Sequence, residues 1–282
     1  CFNLFKKKNI CLNKHNIILI SIKNRYLMKI VFLSFVFLII GFILQAQRIE
    51  YTVNESWRFS QVDTNAITKT TFDDSDWTKI NLPHTWNDKD VMDDVPDYYR
   101  GVGWYKKQLF IDKSAENKLI NLYFEGVNQE TYVYVNEQLA GSHIGGYTAF
   151  NIDITAFVKY DCNNLIAIKV DNKYNADIPP LSADFSFYGG IYRDVNLVIT
   201  PKIHFDLTNH GSKGVFIKTP LVTDSLAKVT VTSTITNSET KPSKIRWINT
   251  FKDSKGAVVA IVSKKISLKA FEKITVQTNQ ID

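Results

Sequence analysis

From residue 47 onward, apolar and polar positions alternate in short runs, the period of a strand with one face on a core. Trp57-Arg-Phe59 opens the series, and Trp77-Thr-Lys-Ile-Asn-Leu82 alternates until Pro83 breaks the ladder. Thr131-Tyr-Val-Tyr-Val135 alternates cleanly into an Asn136-Glu137 turn, and Gln138-Leu-Ala140 returns, predicting a hairpin. Further strands are predicted over 106–111, 119–125, 152–155, 165–170 and 195–200. Short strands at roughly ten-residue spacing, with turn residues between them and no long helical period, predict an all-β sandwich. Beyond Thr200-Pro201 the aromatic density falls, and Ser, Thr and Lys take over. There Val229-Thr-Val-Thr-Ser-Thr-Ile-Thr236 reads as a two-faced strand with Thr outside. Residues 245–251 pair naturally with 257–262 across Asp253-Ser-Lys-Gly256, and a last strand covers 274–278. This is a second sandwich of immunoglobulin type. It holds about 80 residues against roughly 100 for the complete fold, so the domain is expected to be cut off at its C-terminal side.

The chain of 282 residues carries a formal net charge of +6, which first suggests an anionic partner. Position removes that suggestion. Residues 1–46 hold seven basic residues and no Asp or Glu, leaving 27 basic against 28 acidic in the rest. Nucleic-acid binding therefore loses its main support. The basic segment has two parts. From Met28 it reads as a secretory signal: Lys29, an apolar run from Ile30 to Leu44, then Gln45-Ala46-Gln47 with cleavage expected after Ala46. The run is short for a membrane span, which needs about 20 apolar residues, so no stable membrane anchor is expected. Export to the periplasm or the exterior follows. Residues 1–27 begin at Cys1 and are rich in Asn, Lys and Ile; Met28 is expected to be the true start, and the preceding residues an upstream extension or gene-model artefact. Cys1 and Cys11 lie in that segment, so Cys162 stands alone in the remainder and no internal disulfide is possible there.

One stretch stands out chemically: Asp184-Phe-Ser-Phe-Tyr-Gly-Gly-Ile-Tyr-Arg-Asp194, preceded by Pro179-Pro180. Adjacent glycines among aromatics are costly in a strand and make sense where the backbone turns sharply or approaches something closely. Rings around such a turn, with a carboxylate at its mouth, suit a sugar: rings cover the apolar face of a pyranose and Asp accepts from its hydroxyls. On composition alone a tight turn whose aromatics are simply core is the preferred reading of the same residues. Residues 87–98 form an acidic loop whose spacing lacks the Gly and terminal Glu of an EF-hand, and a solvated surface loop is expected. Arg193 and Asp194 at a strand end are expected to fix neighbouring loops.

Eight motifs fall in one order: Trp57-x-Phe59, Phe72-Asp-Asp-Ser-x-Trp77, Leu82-Pro-His-Thr-Trp86, Tyr99-Arg-Gly-x-Gly-Trp-Tyr105, Phe124-Glu-Gly-Val127, Val133-Tyr-Val-Asn136, Gly145-Gly-Tyr-Thr148 and Gly189-Gly-Ile-Tyr-Arg-Asp-Val195. In this order the chain resembles glycoside hydrolase family 2, on its β-galactosidase branch, strongly over 50–200 and more loosely over 201–282. The resemblance implies a jelly-roll sugar-binding domain over 47–200, an immunoglobulin-like domain over 201–282, and then a catalytic (β/α)₈ barrel. In the family both catalytic glutamates sit on the barrel and act with retention through a covalent glycosyl-enzyme. Nothing over 47–282 alternates strands with helices, so no catalytic residue is assigned to this chain. The family's first domain lends the barrel an Asp, six residues before the second glycine, that holds galactose hydroxyls and helps ligate sodium. Asp184 has that spacing to Gly190, and Arg100 and Tyr99 are further candidates for lining the same pocket. Sodium and magnesium are implied for the complete enzyme, and no cofactor for these domains alone.

Three functions remain open at this level. The chain is a fragment of an exported glycosidase acting on a β-galactoside-type carbohydrate and inactive without its barrel. Alternatively it is a stand-alone carbohydrate-binding module, or a structural sandwich whose aromatics are all core.

Overall fold

The computed structural model describes residues 48–278 except 91, 95, 96, 224 and 225. The segments 1–27 and 28–46, with the leader expected there, lie outside the described residues. Ten strands build the first sandwich: β1 (Ile49–Thr52), β2 (Trp57–Ser60), β3 (Thr78–Ile80), β4 (Val102–Ile111), β5 (Leu119–Phe124), β6 (Glu130–Val135), β7 (Gln138–Ile144), β8 (Phe150–Asp153), β9 (Cys162–Asp171) and β10 (Val195–Thr200). Six follow: β11 (Ile203–Phe205), β12 (Val215–Val222), β13 (Ala227–Asn237), β14 (Ser243–Lys252), β15 (Val258–Leu268) and β16 (Lys273–Gln277). All named pairings are antiparallel.

The first sandwich faces a four-stranded sheet, β1-β10-β5-β8, against a six-stranded one, β3-β2-β4-β9-β6-β7. Period-two alternation decides what lies between them. Along β9, Ile166, Ile168 and Val170 enter the core with Leu122, Phe124, Val133, Val135, Val195 and Leu197. Ala167 points the other way and joins Ile67, Val102 and Trp104 under Phe72 and Trp77. The six-stranded sheet is thus covered on part of its second face too, around Val102, Trp104 and Ala167. Lys106 on β4 is 3% exposed. Its ammonium lies 3.3 Å from Asp74 and 4.9 Å from the centre of the Phe72 ring, so the acidic turn after Phe72 serves to neutralise a buried cation.

The predicted hairpin is β6–β7, and its turn residues Asn136 and Glu137 have φ of 48° and 74°, the left-handed pair that matches strand twist. In the second sandwich β11 and β12 take successive lengths of one edge of β13, and β16 takes the other. The β14–β15 hairpin faces them, turning through Asp253 to Gly256 as the sequence predicts. Trp247 is the centre of this smaller core, with Val231, Ile235, Ile266, Leu268 and Val276. β12 is not anticipated by the sequence pattern. Pro220 sits where its register shifts, as expected of an edge strand.

Candidate functional site: a pinned loop with a free carboxylate

The chain from Asn172 to Asp194 crosses from the end of β9 to the start of β10, that is, from one sheet to the other. Its second half is fixed residue by residue. The Phe187 N–H donates to the Tyr98 hydroxyl (2.8 Å), and the Phe187 carbonyl accepts from Asn172 Nδ2 (2.9 Å). Asn128 Nδ2 donates to the Tyr188 carbonyl (2.7 Å). The Gly189 N–H donates to Asn87 Oδ1 and its carbonyl accepts from Thr85 Oγ1, each at 2.7 Å. Gly190 exchanges both backbone bonds with Asn128. The Ile191 N–H donates to the Tyr105 hydroxyl, and its carbonyl accepts from the His84 N–H. Gly189 to Ile191 are buried and cannot leave these groups unpaired, and here side chains replace most of the missing ladder.

The three asparagines are the instruments of this arrangement, because each carries a donor and an acceptor on one short side chain. Asn87 and Asn172 are fully buried and each also ties the loop to the segment before β4: Asn87 Nδ2 donates to the Tyr99 carbonyl, and Asn172 Oδ1 accepts from the Gly101 N–H. Sequence reasoning passed over them. The one available signal was an Asn directly after the Trp86 and β9 patterns, and Asn is common in loops for many reasons.

The glycines are explained by close approach. A Cβ on Gly189 would sit 2.0 Å from Trp86 Cζ2. Gly190 has φ of +117°, and its Cβ would lie 2.6 Å from the His84 carbonyl oxygen.

The preceding segment is different. Among the described residues, no hydrogen bond or ion pair holds the Asp184 carboxylate, and residue 184 is exposed. It lines an open cavity of about 470 Å³ with Tyr98, Arg100 and residues 181–187. The alternative of an Asp satisfied by its own turn therefore has no bond to support it. Arg100 lines the same cavity: its Nε donates to the Asn172 carbonyl (2.9 Å) and its guanidinium lies 5.0 Å from the Phe187 ring centre. Tyr99 is placed elsewhere. Its hydroxyl donates to the Val102 carbonyl (3.0 Å), its ring meets Trp86 edge-on, and burial holds its phenol above the usual range. Tyr98, not Tyr99, is among the residues that line this cavity. Asp194 accepts from Asn54 Nδ2 (2.9 Å) and so fixes a loop. Another cavity, of about 490 Å³, is lined by Ser56, Trp57, Arg58, Lys79, Ile80 and Asn81, and holds no carboxylate.

The described residues contain no group of three or more His, Cys, Asp or Glu that could hold a metal. Asp184 offers one carboxylate, and a hard cation takes several oxygen ligands. These residues alone do not make a cation site.

His84 ties the support to pH. Its Nδ1 lies 2.9 Å from the Tyr105 hydroxyl, and burial holds its pKa below the ordinary value, against a smaller opposing pull from Asp88. Burial likewise depresses His143 and His204. Groups depressed in the folded state bind more protons when unfolded, so stability is full above about pH 6.5 and falls as pH drops through and below it. Carboxylates held low, such as Glu137 at about 2, lose their contribution only in more acid solution. Urea midpoints are therefore expected to fall between pH 7.5 and pH 5, and His84→Gln to reduce that fall. An equal fall in the variant would contradict this role for His84.

Comparison with known proteins places the chain. Residues 47–201 match the family description "Glycosyl hydrolases family 2, sugar binding domain". A putative beta-glucuronidase of Formosa agariphila is 40% identical over 223 residues, covering 79% of this chain and 26% of that protein. A beta-galactosidase of Thermoanaerobacter pseudethanolicus is 34% identical, covering 81% of this chain and 30% of that protein. The crystal structure of Bacteroides uniformis beta-glucuronidase superposes with a TM-score of 0.78 at 39% identity, covering 84% of this chain and 28% of that one. The chain thus spans little more than a quarter of the length of these relatives. With more than half of its residues matched to the family's sugar-binding domain, the chain belongs to glycosyl hydrolase family 2.

Proposed function

We propose that this chain is the substrate-contacting and scaffolding part of an exported glycosidase, and that Asp184 reaches from it into an active site completed elsewhere. The observation that carries this is an exposed, unpaired carboxylate lining a cavity three residues before a stretch whose backbone groups are bonded from Phe187 to Ile191. A carboxylate free of protein partners keeps its acceptors for a sugar hydroxyl, and the anchor at Phe187 limits how far it can move. The hydrolytic pair of carboxylates, acting with retention, is assigned to a barrel outside these residues. Relatives named as beta-glucuronidases and as a beta-galactosidase support a β-glycoside of one of these sugars as the substrate. If a sodium ion sits beside the sugar, Asp184 supplies one ligand and the barrel the rest. Export rests on the Lys29 to Ala46 pattern.

The test uses the chain as it stands. It is expected not to hydrolyse nitrophenyl β-galactoside or nitrophenyl β-glucuronide, and turnover by the pure protein would overturn the assignment. Binding of a monosaccharide is expected to be weak, since one carboxylate makes about two hydrogen bonds of about 1 kcal/mol net each. Submillimolar affinity by calorimetry would instead favour a stand-alone carbohydrate-binding module.

A further inference from the structure

Three rings beside Asp184 go beyond what contact with one sugar requires. Phe187 is the fixed one. Its N–H and carbonyl are held by Tyr98 and Asn172, and the Arg100 guanidinium lies over its ring. Phe185 lies 5.3 Å from Phe187, centre to centre, at an angle of 46°. Tyr147, in the turn between β7 and β8, meets Phe185 edge-on at 6.4 Å.

None of the three belongs to a core cluster of the described residues. Phe185 is 52% exposed and Tyr147 51%. Large rings grouped at the surface beside a cavity mark a binding face more often than isolated exposed residues do. Arg100 lies over Phe187, which is less exposed than the other two rings, so the surface most open to a ligand belongs to Phe185 and Tyr147. Phe185 also lines the cavity that holds Asp184, two chain positions from Phe187 and one from the carboxylate. A ring face matches the C–H face of a pyranose, and the adjacent carboxylate matches hydroxyls, so the occupant with both kinds of surface is a carbohydrate longer than one unit.

We infer that Phe185 and Tyr147 hold a second pyranose, the unit joined to the sugar at Asp184, and that the substrate is an oligosaccharide rather than a monosaccharide on a small leaving group. This rests on the reading of Asp184 as a sugar contact. Phe185 rests against Phe187 and Tyr147 against Phe185, so part of the cost of ordering them is met before binding.

The experiment compares sugars by ligand-observed saturation-transfer NMR on the chain. The probes are methyl β-galactoside and methyl β-glucuronide, against lactose and a β-glucuronosyl disaccharide. One disaccharide is expected to bind about tenfold tighter than its monosaccharide, the effect of a stacked ring. Phe185→Ala and Tyr147→Ala should bring that ratio close to one, while Asp184→Asn lowers both affinities and keeps the ratio. Both rings are exposed, and melting curves matching the parent will show that the variants fold. Equal affinities for mono- and disaccharide, or a ratio unchanged by the ring variants, would overturn the second contact and leave Asp184 standing. Loss of neither affinity in Asp184→Asn, or no binding of any probe, would overturn the reading beneath it.

Discussion

Gly189→Ala is expected to destabilise the first sandwich by about 3 kcal/mol, a large fall in its urea midpoint. The added methyl would lie 2.0 Å from Trp86 Cζ2, 2.3 Å from Cε2 and 2.7 Å from Asn172 Nδ2. The indole cannot retreat. A methyl on Gly103 would already sit 2.4 Å from its Cζ3, Phe59 stacks on it at 5.8 Å, and Tyr99 closes the edge. Displacing Gly189 instead would break its bonds to Asn87 and Thr85, leaving buried polar groups unpaired. Gly256→Ala is the matched control. Its φ is +84° with nothing within 4 Å of the new Cβ, so only the backbone strain of about 1 kcal/mol applies. Urea denaturation of both variants checks the pair, and a Gly189→Ala midpoint equal to that of Gly256→Ala would show that the Trp86 wedge is not rigid.

Asp184→Asn carries the largest functional effect. In the proposed glycosidase, with a barrel supplying the hydrolytic pair, catalytic efficiency is expected to fall about 10²- to 10³-fold, or roughly 3–4 kcal/mol of transition-state stabilisation. The amide keeps the shape and one acceptor but loses the charge that strengthens a bond to a hydroxyl whose polarity rises during reaction. Stability of the variant should stay within about 0.5 kcal/mol, because Asp184 is exposed and bonds to no described residue. An unchanged efficiency would reject the role. A fall in efficiency matched by a fall in stability would make the residue structural instead.

Much of the scaffold was legible because it rests on local rules. Alternation located β6 and β13, short apolar runs located β5 and β9, and Asn136-Glu137 announced its turn through a left-handed backbone that Asn tolerates. The glycine pair was readable as a close approach, although what it approaches, Trp86, lies 103 positions away in sequence and only the fold reveals it. β12 was missed since both its faces are exposed and its Pro220 argues against a strand. At the candidate site, Asp184 and Arg100 line one cavity with Tyr98, whereas Tyr99 turns to Trp86 and Val102, and neighbouring residues of an extended chain face opposite ways. Asn87, Asn128 and Asn172 act through backbone groups on another segment, a role that leaves no periodic trace.

The central claim is that sugar meets this chain at Asp184. Backbone amide shifts of the isotope-labelled chain, titrated with methyl β-galactoside and methyl β-glucuronide, test it most directly. The account predicts that at least one sugar perturbs Tyr98, Arg100 and residues 181–187 most strongly, and that Asp184→Asn removes the effect. Perturbations centred on the cavity between Ser56 and Asn81, or none around Asp184 with either sugar, would contradict it.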